Sequence, residues 1–169
     1  MGLILRSMSL PGNYSITCDP SRLDLKAIHA FLTQAYWSRG VPIEVVRRAV
    51  EHSLAFGVFN MEEQVGFARV ITDRATFAYL ADVYVLEAHR GQGIAKELLK
   101  VIFAHPDLQG LRRVMLATAD AHGLYEQFGF KPLAAPERFM EIHIPNAYLR
   151  PHETPGSGPN PTPADGHAF

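Results

Sequence analysis

The chain has 169 residues, of which 47% are hydrophobic and 20% charged, and its formal net charge is −1 at pH 7. This composition predicts one soluble globular domain with a sizeable core. A net charge so near zero, with no basic run, argues against nucleic acid or a membrane surface as a partner. The one cysteine, Cys18, excludes an internal disulfide and a cysteine-based metal cluster, which fits a cytoplasmic protein.

The sequence predicts that the two ends of the chain lie outside the folded domain. We expect residues 1–12 to be an irregular leader whose apolar stretch is too short for a secretion signal. Residues 148–169 form a Pro/Gly-rich C-terminal tail, a composition that buries little and does not build helix or sheet. Residues 13–147 are then the folded domain, and no apolar run in the chain approaches the length of a membrane span.

In the first half of the domain, the hydrophobic pattern predicts a strand, two helices and three strands. The strand "YSITCD" is followed by a helix that Asp24 caps and Gly40 ends, and Pro42 begins a second helix. The segments "LAFGVF" and "QVGFARVI" flank the short turn "NMEE" and predict a hairpin. "TFAYLADVYVL" follows as a further antiparallel strand because its connection is also short.

In the second half, a glycine-rich turn leads into a helix that Pro106 stops, and "RRVMLAT" is the next strand. Asp120 is expected to cap a short helix that Gly129 closes. "FKPL" and "ERFMEIHI" are predicted as two final strands. The order β-α-α-β-β-β-α-β-α-β-β indicates an α/β (α+β) fold with a mixed, mostly antiparallel sheet and helices on both faces.

The glycine-rich turn joins a strand to the start of a helix. Unpaired N–H groups and the positive end of the helix dipole make such a position favourable for an anion. Gly91 and Gly93 keep the backbone bare, and Arg90 adds charge at the rim. We therefore expect a phosphate or pyrophosphate to be held by Arg90, Gly91, Gln92, Gly93, Ile94 and Ala95.

Other interpretations of this turn remain open from the residues alone. A P-loop requires G-x-x-x-x-G-K-S/T, and the turn has neither that spacing nor the Lys-Ser/Thr pair. A dinucleotide-binding turn requires a third glycine where Lys96 stands. The remaining alternative is a tight turn without a ligand.

Two motifs together favour one interpretation. "VYVLEAHRGQGIAKELL", followed further on by "ATADAHGLYEQFGFKPL", resembles the GNAT family of N-acetyltransferases. In that family the pattern R/Q-x-x-G-x-G/A binds the pyrophosphate of acetyl-CoA, and Arg90, Gly93 and Ala95 stand at its fixed positions. "LYEQFGF" resembles the second family signature, a tyrosine-bearing helix closed by Gly-Phe. The resemblance covers residues 13–145 and implies the GNAT fold, acetyl-CoA as donor, CoA as product and no metal.

The resemblance also implies two catalytic residues. Tyr125 would protonate the leaving thiolate, although its spacing alone favours a core tyrosine. Asp82 would act as base or recognise the amine, since Ala81 replaces the glutamate that some polyamine-acetylating relatives carry there. The alternative for Asp82 is an ion pair with an arginine, either Arg69 or Arg113.

Further cofactor and substrate positions follow from the same resemblance. Backbone N–H groups of Val83, Tyr84 and Val85 would contact the cofactor and the oxyanion, and Asp120 replaces an asparagine that contacts the pantetheine arm. Tyr36 and Trp37 lie near the family's acceptor loop. This aromatic pair would face a cationic or aromatic substrate, or else pack in the core.

The sequence therefore predicts an acetyl-CoA-dependent N-acetyltransferase that moves an acetyl group directly to a primary amine of a small molecule or protein. The alternative is a non-catalytic acyl-CoA-binding sensor or assembly module with the same fold. The histidines show no metal-ligand spacing. Because family members often pair through their last strands, we also expect a homodimer formed through "ERFMEIHIP".

Overall fold

A computed structural model describes residues 4–5 and 10–149. The strands are β1 Ile4–Leu5, β2 Tyr14–Thr17, β3 Leu54–Asn60, β4 Glu63–Thr72, β5 Phe77–Val85 and β6 Arg113–Met115. The helices are α1 Leu25–Leu32, α2 Ile43–Glu51, α3 Ile94–Phe103 and α4 His122–Glu126. Short 3-10 turns cover Pro20–Arg22, Glu87–His89, Pro106–Leu108 and Pro136–Arg138. Most of the predicted tail, residues 150–169, lies outside the described residues.

The strands form one sheet in the order β1-β2-β3-β4-β5-β6, in which only β5 and β6 run parallel. The predicted mixed, mostly antiparallel sheet is confirmed, as is the hairpin of β3 and β4. One expectation about the leader is wrong in part. Ile4 and Leu5 pair with Thr17 and Ile16 of β2, so the leader adds an edge strand.

Successive residues of each strand face opposite sides of the sheet, and each side has its own core. Phe56 and Val58 pack on the side that α3 covers, whereas Ala55 packs on the side of α1 and α2. The buried face of α3 comprises Ile94, Leu98, Leu99, Val101 and Ile102. Helices on both faces are therefore confirmed, and each fully buried aliphatic side chain contributes about 1.5–3 kcal/mol.

Helix α1 begins as predicted but ends early. The Asp24 carboxylate accepts hydrogen bonds from the N–H groups of Lys26 and Ala27, at 2.9 and 3.0 Å. The helix ends at Leu32 and does not reach Gly40. The Ser38 hydroxyl donates to the Leu32 carbonyl oxygen, and this local bond competes with continuation of the helix. Residues 33–40 form turns, so Tyr36 and Trp37 belong to a loop.

The prediction of two final strands is wrong. Within the described part of the chain, residues 131–144 pair with no strand, and their only regular element is the turn Pro136–Arg138. Pro132 and Pro136 lack the N–H donors that a strand ladder requires, which disfavours regular pairing in this stretch.

The same segment exposes apolar side chains that could form the interface of the predicted homodimer. Met140 is 98% exposed and Ile142 is 88% exposed, and they alternate with Glu141 and His143. These apolar side chains are thus open to solvent, which favours their burial by a second copy. We expect light scattering at micromolar concentration to give a dimer mass for the wild type and a monomer mass for Ile142→Glu. A monomer mass for the wild type would contradict this.

Candidate active site

A cleft opens where β5 and β6 separate. The two strands pair only where Phe77, Ala78 and Tyr79 meet Arg113, Val114 and Met115, whereas β5 continues to Val85. Among the described residues, no strand pairs with this edge of β5 beyond Tyr79. The cleft has a volume of about 650 Å³ and is lined by α2, the loop after α1, β5, residues 117–121 and Tyr125.

A β-bulge at Asp82 bends β5 beside this cleft. Ala81 pairs with Arg69 and Tyr84 pairs with Phe67, so two residues of β5 oppose one residue of β4. Asp82 has a φ of +53°, a left-handed conformation that costs an L-residue roughly 1–2 kcal/mol and that aspartate tolerates better than most. The bulge places Asp82 in the cleft lining.

Both carboxylate oxygens of Asp82 already accept hydrogen bonds. Oδ2 accepts from Nε of Arg69, and Oδ1 accepts from the indole N–H of Trp37 at 3.0 Å. The Asp82 and Arg69 side chains are only 11% and 18% exposed. The ion pair with Arg69, one of the two predicted alternatives, is therefore present. An ionised carboxylate offers about four lone-pair sites, so Asp82 can still accept a bond from a substrate.

Helix α4 presents Tyr125 to the cleft, where the residue is 8% exposed. Gly129 has a φ of +86° just beyond the helix, and the N–H groups of Phe128 and Phe130 donate to the Tyr125 carbonyl oxygen. The predicted closure by Gly129 is thus confirmed. Burial raises the pKa of Tyr125, and the nearby Asp120 charge raises it further, so the hydroxyl keeps its proton at neutral pH.

The predicted cap of α4 is wrong. Ala121 stands at the N-cap position, and its N–H donates to the Thr118 hydroxyl oxygen at 3.1 Å. Thr118 thus supplies the acceptor that Asp120 was predicted to provide, and Asp120 instead lines the cleft. Its predicted contact with the pantetheine arm stays a prediction.

The glycine-rich turn has the backbone of an anion site. Gly91 and Gly93 have φ values of +74° and +76°, which explains why glycine stands there. No described atom lies within 4 Å of a Cβ built on either glycine, so both face open space. The first N–H groups of α3 have no acceptor one turn earlier in the helix and can point to a ligand. The residues present therefore fit a pyrophosphate.

Two contacts fix the chain just before this turn. Nε of Arg90 donates to the Val85 carbonyl oxygen at 2.9 Å, which ties the turn to the end of β5. The Tyr14 hydroxyl lies 2.6 Å from Nδ1 of His89, which ties it to β2. The turn is thus attached to two strands of the sheet, which preorganises it for binding.

The structure brings the predicted catalytic and substrate residues together in one cleft, whereas residues 90–95 lie outside its lining. Tyr36, Trp37, Asp82, Asp120 and Tyr125 all line the cleft. The predicted stretch Val83–Val85 offers its backbone edge, whereas the Tyr84 ring is buried in a stack on Phe31 with centroids 3.7 Å apart. Tyr148 also lines the cleft, and sequence reasoning missed it because it stands where the polar tail was expected to begin.

The comparison with known proteins agrees with this geometry. The sequence profile of the Acetyltransferase (GNAT) domain matches residues 51–132. A protein of Gibberella zeae named as a putative acetyltransferase is 34% identical over 137 residues, which span 68% of this chain and 76% of that protein. The chain belongs to the GNAT family of acetyltransferases.

Solved structures share the fold of this GNAT chain. A putative acetyltransferase of the GNAT family from Xanthomonas campestris pv. campestris superposes with a TM-score of 0.81 at 50% identity, over 83% of this chain and 99% of that one. A predicted acetyltransferase from Clostridium acetobutylicum, solved with acetyl-CoA, has a TM-score of 0.57 at 14% identity, over 78% and 95% of the two chains. The second comparison shows the fold alone.

Residues 4–5 and 10–149 of the GNAT chain, the part that the structure describes, lack two features. No group of three or more His, Cys, Asp or Glu side chains is placed to hold a metal ion. No helix there has the length and apolarity needed to cross a membrane.

Proposed function

We propose that this GNAT protein is an acetyl-CoA-dependent N-acetyltransferase that acts on a primary amine of a small molecule or protein by direct transfer. One observation carries the proposal: the edge of β5 that no described strand pairs with runs from Asp82, which shares the cleft lining with Tyr125, toward the glycine-rich turn. A nucleotide-bearing thioester can span such an edge. The acetyl-CoA in the Clostridium acetobutylicum structure supports this choice of donor.

The cofactor would be held by backbone groups at both ends of the β5 edge. N–H groups of residues 90–95 face the pyrophosphate, aided by the positive end of the α3 dipole. Successive N–H groups of a strand point to opposite edges, so those of Val83 to Val85 that face the open edge of β5 would suit the pantetheine amides and the oxyanion of the tetrahedral intermediate. Acetyl-CoA supplies the acetyl thioester, and the protein supplies donors and proton carriers.

Proton transfer defines the roles of Asp82 and Tyr125. A lysine-like amine with a pKa of about 10.4 is neutral in only about one molecule in 2,000 at pH 7, so it must lose a proton before attack. Asp82, directly or through a water, accepts that proton as the C–N bond forms. The C–S bond then breaks, and the Tyr125 hydroxyl gives its proton to the thiolate. Because its pKa is raised, Tyr125 carries that proton across the neutral range.

An acceptor screen tests the proposed function. Purified protein with saturating acetyl-CoA is offered primary amines, with alcohols and thiols of matched shape as controls, and free CoA thiol is measured. We expect turnover with amines only. Saturable acetyl-CoA binding without turnover on any amine would favour the alternative, an acyl-CoA sensor or assembly module.

Asp82→Asn should lower kcat by about 10²-fold. The substitution keeps the shape of the side chain and removes the negative charge that accepts the proton. The rate is measured on an amine that the wild type acetylates.

Arg69→Gln is the matched control because it breaks the ion pair but leaves the Asp82 carboxylate in place. That variant should lose much less of its kcat than Asp82→Asn does. Full activity for Asp82→Asn would mean that water alone takes the proton and that Asp82 serves only Arg69 and Trp37.

A further inference from the structure

Three aromatic side chains stand at the outer end of the cleft. Tyr36, Trp37 and Tyr148 line it while remaining 66%, 44% and 41% exposed. The Tyr36 and Trp37 rings meet edge to face with centroids 4.9 Å apart. The indole N–H of Trp37 donates to Asp82, which fixes this ring beside the carboxylate. Exposed aromatic rings held in place around a concave site are suited to contact with a ligand.

Tyr148 reaches the cleft because the end of the domain packs on the loop after α1. A Cβ added to Gly40 would lie 2.7 Å from Cδ2 of Leu149 and 3.3 Å from the Tyr148 carbonyl oxygen, so the two segments touch. The Leu149 N–H donates to the Asn146 carbonyl oxygen, which closes a turn at this point. Tyr148, predicted to begin the tail, therefore lines the cleft, and Leu149 anchors it to the loop after α1.

The charges of the cleft lining restrict how many positive charges the acceptor can carry. Among the side chains that line it, the charged ones are Arg69, Asp82 and Asp120. Arg69 and Asp82 form an ion pair, so the lining carries one net negative charge. Most of the remaining lining is apolar or aromatic. A polyamine or an aminoglycoside would place several positive charges against this surface, whereas a monoamine places one.

We propose that the acceptor is a monoamine that carries an aromatic ring, and that Tyr148 determines specificity by contacting that ring. The ammonium would lie toward Asp82, and the ring would lie among Tyr36, Trp37 and Tyr148. This inference rests on the proposed function, which supplies the transfer reaction at the same cleft. It adds the class of substrate and a role for the C-terminal segment.

Steady-state kinetics with three amines test the inference: phenethylamine, ethylamine and spermidine. We expect kcat/KM to be highest for phenethylamine. Tyr148→Ala should raise KM for phenethylamine about two- to tenfold, the range for loss of one aromatic contact, with kcat nearly unchanged. KM for ethylamine and for acetyl-CoA should not move. Tyr148→Phe keeps the ring and should behave as the wild type.

The other outcomes contradict the inference in distinguishable ways. A higher kcat/KM for spermidine than for phenethylamine would overturn the substrate class. An equal KM increase for phenethylamine and ethylamine in Tyr148→Ala, or no increase, would show that Tyr148 is not a specificity residue. If the wild type binds acetyl-CoA but turns over no amine, the proposed function itself fails, and this inference fails with it.

Discussion

Replacing Tyr125 by phenylalanine should lower kcat by about 10²–10³ while the affinity for acetyl-CoA stays near that of the wild type. The substitution removes the proton donor for the leaving thiolate but keeps the ring that packs edge-on against Phe130 with centroids 6.0 Å apart. The loss should be similar at all pH values around neutrality, because burial and Asp120 raise the pKa of Tyr125 and keep it protonated there.

The measurement combines steady-state kinetics with calorimetric titration of acetyl-CoA into both proteins. The melting temperature serves as the control for folding. If kcat for Tyr125→Phe equals that of the wild type on a working amine, the tyrosine is a core residue and another group protonates the thiolate.

Gly93→Val should raise the dissociation constant of acetyl-CoA by well over tenfold. Gly93 has a φ of +76° at the start of α3, where a β-branched residue is strained. Its added side chain would also project into the open space that the pyrophosphate is proposed to occupy, since no described atom lies within 4 Å of a Cβ there. Calorimetric titration of wild type and variant gives the two constants.

Gly110→Val is the matched control for backbone strain. Gly110 has a φ of +72° and equally open surroundings, and it lies outside the cleft lining and the turn. Both variants should lose some thermal stability, but only Gly93→Val should lose affinity. Equal affinities in Gly93→Val and the wild type would show that the turn does not hold the pyrophosphate.

The parts of the fold that could be predicted are those that local sequence determines. The apolar segments "LAFGVF" and "QVGFARVI" on either side of a short turn, and the helical spacing of Ile94, Leu98 and Ile102, predicted elements that the structure contains. The early end of α1 depends on the hydrogen bond of Ser38 to Leu32. A serine such as Ser38 is also compatible with a continuing helix, so the hydrophobic pattern could not show whether α1 ends at Leu32 or continues to Gly40.

The two final strands, in contrast, were predicted from a local pattern but are absent from the described residues. "ERFMEIHI" alternates as a strand should, yet alternation states only that one face is apolar and not which surface covers it. Met140 and Ile142 are 98% and 88% exposed, so they bury little against the part of their own domain that the structure describes. A strand requires a partner edge, and that partner cannot be read from the segment itself.

The candidate site was predictable where a motif is contiguous. The turn at residues 90–95 and the helix of Tyr125 each lie in one short stretch, so the sequence located both. The indole bond from Trp37 to Asp82 joins residues 45 positions apart. The contact of Gly40 with Leu149 joins the loop after α1 to the end of the domain. Neither leaves a local signal, which is why the position of Tyr148 in the cleft lining emerged only from the structure.

Transfer of an isotopically labelled acetyl group in a single turnover tests the central claim most directly. Excess protein is mixed with labelled acetyl-CoA and an amine, and the intact masses of product and protein are recorded over time. Direct transfer predicts that the label appears on the amine nitrogen, with free CoA in equal amount and none on the protein. Label that accumulates on the protein first, or bound acetyl-CoA that never labels an amine, would contradict the claim.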